Sequence, residues 1–211
     1  MLSTYRTVKK EGNHEIVIQK SRFIAHIKRT ETEEEALRFI EAIKKAHCNA
    51  THNCSAYLIG ENDLIQKAND DGEPSGTAGV PMLEVLKKRE LKDTTVVVTR
   101  YFGGIKLGAG GLIRAYGGAV TEGLQAIGLV TRTLTQVMHA TIDYTWLGKV
   151  ENEIRQSSFL LKDIHYLDQV EMEVYVPSTE LERFNAWVTE LTNGQATVKE
   201  GALTYLEEDA L

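Results

Sequence analysis

The sequence predicts an α+β protein of two domains, residues 1–130 and residues 135–211. Two observations carry this division and a third orders the second domain. β-branched or alternating runs are interleaved with stretches whose apolar residues recur at helical spacing. The charge then breaks near residue 130: residues 1–130 carry 18 Lys and Arg against 16 Asp and Glu, whereas residues 131–211 carry 6 against 14. Such asymmetry between halves marks separate folding units. Beyond the break the elements read β-α-β-β-α-β.

In the first half, residues 5–10, 14–19 and 22–29 alternate or run apolar, with a turn at Glu11-Gly12-Asn13, and predict a three-strand meander. Thr32 before Glu33, Glu34 and Glu35 is a capping box. It opens a helix to about residue 46 with Ala36, Leu37, Ile40 and Ile43 on its buried stripe. Residues 53–60 and 64–68 form a hairpin across Glu61-Asn62-Asp63, and a helix runs from Thr77 to about residue 89. The β-branched run 94–99 is a buried strand. After a glycine loop, Leu112, Tyr116, Ala119, Gly123 and Ile127 repeat at helical spacing until Gly128.

Past a junction at residues 129–135, a strand at 133–144 leads into a helix at 145–158 with Trp146, Val150 and Ile154 inward. Strands follow at 160–166 and 169–176. Ser178 then caps a helix carrying Leu181, Phe184, Trp187, Val188 and Leu191, Asn193-Gly194 ends it, and residues 196–206 are the last strand. This order is the ferredoxin-like (βαββαβ) pattern.

Two loops carry chemistry. Gly103, Gly104, Gly108, Gly110 and Gly111 allow close backbone approach, and Arg100, Lys106 and Arg114 put positive charge beside the free N–H groups of the coming helix. An anion fits there, although neither the Walker A nor the dinucleotide spacing is present, and tight helix-on-sheet packing is the alternative. Asp70, Asp71 and Glu73, followed by Ser75 and Thr77, make an acidic loop. It reads either as a capped turn or as a weak Mg²⁺ site facing the glycine loop. Arg100 and Arg114 pairing with these carboxylates across a cleft is the structural alternative to a shared bound anion. His47, Cys48, His52 and Cys54 match no usual zinc spacing, and a Cys54–His52 nucleophile pair lacks an orienting third group. No other cofactor is indicated.

Composition narrows the setting. With 42% hydrophobic and 26% charged residues the chain has enough apolar content for a core, and no apolar run approaches the ~20 residues of a membrane span. Cys48 and Cys54, six residues apart and outside any framework, read as reduced thiols in a cytoplasmic protein. The acidic second domain is unsuited to gripping phosphate backbones by bulk charge. Its strand 169–176 places Glu171, Glu173 and Tyr175 on one face with no basic neighbour, which favours a protein-interaction surface over an RNA platform.

The blocks 69–83 (NDDGEPSGTAGVPML) and 97–118 (VVTRYFGGIKLGAGGLIRAYGG) resemble the signatures of the IMPACT family, and His52-Asn53-Cys54-Ser55-Ala56-Tyr57 is similar to the segment preceding them, with Ser55 where bacterial members often have Trp. Length and second half resemble the bacterial YigZ-like branch, and the resemblance covers essentially the whole chain. It implies a first domain like ribosomal protein S5 domain 2, a sheet with helices on one face, and a second like the last domain of elongation factor G. Eukaryotic members regulate translation by competing for an activator of an initiation-factor kinase. Two function classes follow. One is a translation-linked regulatory or binding protein recognising RNA, the ribosome or a nucleotide through the glycine-rich cleft. The other is an enzyme, a phosphotransferase or hydrolase acting on a phosphorylated small molecule. The first is favoured, because no residue reads as a clear base or nucleophile.

Overall fold

A computed structural model describes residues 1–210. The elements run β1 (Thr4–Val8), β2 (Gly12–Ile18), β3 (Ser21–Arg29), α1 (Glu33–Ala46), β4 (His52–Ile59), β5 (Ile65–Asn69), α2 (Gly79–Lys88), β6 (Thr94–Tyr101) and α3 (Gly108–Ile127). They continue with β7 (Leu129–Ile142), α4 (Tyr144–Gln156), β8 (Leu160–Tyr166), β9 (Val170–Pro177), α5 (Leu181–Leu191) and β10 (Thr197–Asp209). By contact the chain divides into two compact units: Tyr5–Thr131 with the last residues from Glu208, and Arg132–Glu207 with Met1–Thr4.

The first unit is built on an antiparallel sheet of order β2-β3-β6-β4-β5. Its central strand β6 is a β-branched run buried on both faces, so each face needs a cover. Val96 and Val98 point into a core with Met82, Leu86, Leu112, Tyr116, Ala119 and Leu124 from α2 and α3. Val97 points the other way, into a smaller cluster with Ala36, Phe39 and Ile40 of α1. Helices therefore cover both faces, not the single face implied by the family resemblance. Gly123 lets α3 settle onto the sheet, since a Cβ there would stand 3.1 Å from Ala25 Cβ.

The expected meander is only a hairpin. β2 and β3 pair across Gln19 and Lys20, both at positive φ (44° and 64°), as a tight two-residue turn requires. β1 instead lies in the other sheet, where Ser3 O accepts the Leu134 N–H at 2.8 Å. A five-residue strand holds no sequence mark of a partner more than a hundred residues away.

The other sheet, which is the frame of the second unit, has the order β1-β7-β9-β8, with β10 also pairing β7. β9 alternates buried and half-buried residues, so Val170, Met172, Val174 and Val176 meet Val150 and Ile154 of α4 and Phe184 and Val188 of α5. Three expectations need correction here. β7 starts at Leu129, directly after Gly128, and not at residue 133, so the junction between the units runs inside a strand. α5 starts two residues later than a Ser178 cap would place it, because the Glu180 N–H closes a turn onto Pro177 O. Glu173 does have a basic neighbour: Lys162 Nζ stands 2.5 Å from its Oε2, brought there by a β8–β9 register that shifts between Leu161 and Asp163. Among the described residues no helix is long and apolar enough to cross a membrane.

Candidate functional site

The acidic loop is fastened to the fold and is not an exposed turn. Asp70 caps α2 from outside, because Ala78 at the cap position has no side chain to do so. Its Oδ1 accepts the N–H of Ala78 (3.0 Å) and Gly79 (2.8 Å), and its Oδ2 accepts that of Gly76 (2.7 Å). Burial pushes the Asp70 carboxyl up, but the Gly76, Gly79 and Ala78 amides outweigh it and hold it below the usual value. The stabilisation is thus present above the unfolded carboxyl's range and is lost as pH falls through the lowered folded value. Asp70→Ala, which strands these three amides, is expected to cost about 2 kcal/mol in urea unfolding near neutral pH. A loss within error would show that the loop holds without it.

Asp71, at φ 44°, accepts from Lys44 Nζ (2.6 Å) and the Asn53 N–H (2.6 Å). Ser75 is exposed, and the buried Thr77 donates to Pro74 O at 2.6 Å. Glu73 is only 8% exposed. Its Oε1 takes Arg100 Nη1 at 2.5 Å and the Tyr116 hydroxyl at 2.7 Å. Burial raises the Tyr116 hydroxyl's pKa, so it stays a donor. All three carboxylates are engaged by protein donors. Tyr116 is a participant that helical spacing alone assigns to the core; the signal is that a buried tyrosine hydroxyl needs a partner.

Across the cleft, Arg100 stacks over Phe23 and Phe102 (5.4 Å to each ring), and its buried Nε has no hydrogen-bond partner. The pairing of Arg100 with Glu73 is the structural alternative raised for it above. Gly103 is required by close approach, since a Cβ there would lie 2.1 Å from the backbone carbonyl of Lys20; its N–H donates to Ser21 Oγ at 3.1 Å. Gly104 turns the chain at φ 86°. α3 begins at Gly108, which still turns the chain at φ 70°, so Gly110 and Gly111 are its first turn and not loop, and Arg114 falls in the second turn. Leu107 at the cap position provides no side-chain acceptor, leaving the opening N–H groups uncapped.

A cleft of about 400 Å³ gathers these parts, with Glu73, Arg100, Lys106, Gly108, His52 and Phe102 in its wall. Arg114 lies outside the wall. Lys106 and Arg114 are exposed and have no ion-pair partner among the described residues. Lys106 and the α3 N-terminus therefore leave positive potential at one end of a cleft whose buried charges already cancel.

The zinc and thiol-nucleophile readings both fail on geometry. His47 Nδ1 meets the Tyr101 hydroxyl at 2.9 Å, His52 Nδ1 meets Asp71 O at 2.8 Å, and Cys48 is exposed. Cys54 is buried, donates to Asp70 O at 3.0 Å, and is pushed up to about 12 by burial, opposite to what an attacking thiolate needs.

Residues 19–124 match the model of the Impact N-terminal domain, and residues 141–195 match a domain of unknown function, DUF1949. The chain is 70% identical over 208 residues to IMPACT family member YvyE of Bacillus subtilis (strain 168), covering 99% of this chain and 96% of that protein. It is 36% identical over 181 residues to IMPACT family member YigZ of Escherichia coli (strain K12), covering 84% and 88%. Over 95 residues it is 39% identical to Protein IMPACT homolog of Dictyostelium discoideum, which is 43% of this chain and 27% of that protein. A crystal structure described as that of a hypothetical protein aligns with TM-score 0.61 and 30% identity, covering 96% of this chain and 99% of that one.

Proposed function

Because the chain belongs to the IMPACT family, we propose that it is a translation-linked binding protein whose cleft receives a phosphate of RNA or of a nucleotide. The observation that carries this reading is the pairing of an unpartnered Lys106 with the uncapped N-terminus of α3, beside a buried Arg100 Nε that no protein group satisfies. Backbone N–H groups at a helix start, with a nearby cation, are what a phosphate oxygen accepts from. Binding is preferred over phosphoryl transfer or hydrolysis because the one buried thiol in the area is deactivated and the carboxylates are committed to protein donors. The link to translation rests on the similarity of the first domain to eukaryotic IMPACT proteins. We read the sheet of the first unit with α2 and α3 as S5 domain 2-like, with α1 as an addition on its second face. The order β10-β7-β9-β8 supports reading the second as ferredoxin-like, serving as a protein-interaction surface. A cytoplasmic location goes with that role and with the two free cysteines.

The test is a thermal-shift series with tRNA, short RNAs and nucleotides, each with and without Mg²⁺. A ligand at a hundred times its Kd stabilises by about 2.7 kcal/mol. Lys106→Glu, at an exposed position, is expected to abolish the shift without lowering the unliganded midpoint. Raising salt from 50 to 200 mM should weaken binding by the wild type. Retention of wild-type binding by Lys106→Glu toward every ligand that the parent recognises would sink the reading.

A further inference from the structure

A second constellation lies in the other unit, on the face of its sheet opposite the core. Because β9 alternates, Glu171 and Glu173 point to one face, and the register sets His139 of β7 beside Glu173 and His165 of β8 beside Glu171. His139 Nδ1 is 2.9 Å from Glu171 Oε1 and 4.0 Å from Glu173 Oε1, and His165 Nε2 is 3.1 Å from that same Glu173 oxygen. We propose that His139, His165, Glu171 and Glu173 form a binding site for a divalent transition-metal ion of the zinc class.

Four arguments support it. Ligand atoms 2.0–2.1 Å from a tetrahedral ion stand about 3.3 Å from one another, and the spacings here bracket that value. His139, Glu171 and Glu173 already bring one donor atom each within 4.8 Å of one another, and the half-exposed His165, 3.1 Å from Glu173 Oε1, completes the set by a side-chain rotation. The donor set is two imidazoles with two carboxylates, which suits zinc and its neighbours and disfavours the all-oxygen shells of Mg²⁺ and Ca²⁺. Supporting groups are also in place. Lys162 holds Glu173 by Oε2, leaving Oε1 turned to the histidines, as outer partners of metal ligands do. Gly201 of β10 sits so close that a Cβ would lie within 3 Å of the His139 ring, and a residue without a side chain allows that approach and fixes the ring. Finally, among the described residues no other group of three His, Cys, Asp or Glu donors comes together in this way.

The experiment is a titration of the metal-free full chain with Zn²⁺ alone, read by competition with a chromogenic chelator, with Mg²⁺ as a parallel arm. One equivalent of Zn²⁺ should bind, and Mg²⁺ should not compete for it. His139→Ala and His165→Ala should each weaken Zn²⁺ binding by 100-fold or more, the loss of a direct ligand exceeding the 10–100-fold typical of a supporting residue. Both histidines are at least partly exposed, so their variants should fold, and an unchanged unfolding midpoint without metal checks this. His14→Ala, which removes a histidine of the other unit, should leave binding unchanged. Stoichiometric binding that survives both substitutions, binding lost with His14→Ala, or no Zn²⁺ binding by the wild type would each overturn the assignment.

Discussion

Glu73→Ala should lower the stability of the first unit by about 3–5 kcal/mol, the loss expected when one partner of a buried ion pair is removed. The substitution leaves the Arg100 guanidinium 5% exposed and uncompensated, and also strips the Tyr116 hydroxyl of its acceptor. Urea unfolding followed by circular dichroism reads the effect directly. The companion variant separates charge from packing. Glu73→Leu combined with Arg100→Met removes both charges, keeps an apolar chain against Phe23 and Phe102, and should recover most of the loss, since apolar replacement of a whole buried pair is often near neutral. A Glu73→Ala loss below about 1 kcal/mol would mean that water already compensates the pair and that the cleft floor is open.

Gly103→Ala is expected to destabilise by about 3 kcal/mol or more, because the new methyl would overlap backbone atoms of Lys20 and Ser21, which cannot swing aside as a side chain can. Lys20 is itself pinned in the hairpin turn at φ 64°, so relief would have to come from the strand pairing. Gly118→Ala supplies the contrast. Nothing stands within 4 Å of its Cβ position in the interior of α3, so alanine there should stabilise by up to about 1 kcal/mol through helix propensity. The two variants, compared by thermal unfolding, distinguish a glycine kept for space from one that the helix merely tolerates. Equal effects would contradict the packing drawn for the loop.

What the sequence displays of this fold is what local rhythm can express. The Thr94–Tyr101 run, the Thr32 capping box with its Glu35 N–H onto Thr32 Oγ1, and the alternation of Val170–Pro177 all specify their elements without help from afar. The cleft was legible as two marked loops, yet the roles within it were not. Glu73 looks like a solvated carboxylate because its partners, Arg100 and Tyr116, are 27 and 43 residues further on. Asp70 looks like a cation ligand because the helix that it caps begins at Gly79, beyond a proline and two glycines. Gly110 and Gly111 read as loop on propensity, and become helix because α3 is held down by Leu112, Tyr116 and Ala119 in the core, whereas Gly108 keeps the positive φ that a glycine loop requires. Tertiary burial overrode local preference at that point.

The exchange of segments between the units has a bearing on folding. Met1–Thr4 belong with residues that begin at Arg132, and the segment from Glu208 returns to the unit that begins at Tyr5, where the Ala210 N–H reaches Leu129 O at 2.9 Å. The β2–β6 sheet can assemble from residues that follow one another in sequence, whereas Met1–Thr4 and the segment from Glu208 each close a loop of more than seventy residues. Neither unit is therefore completed from a continuous stretch of chain, and the slowest contacts of each are the ones that it makes with the far segment.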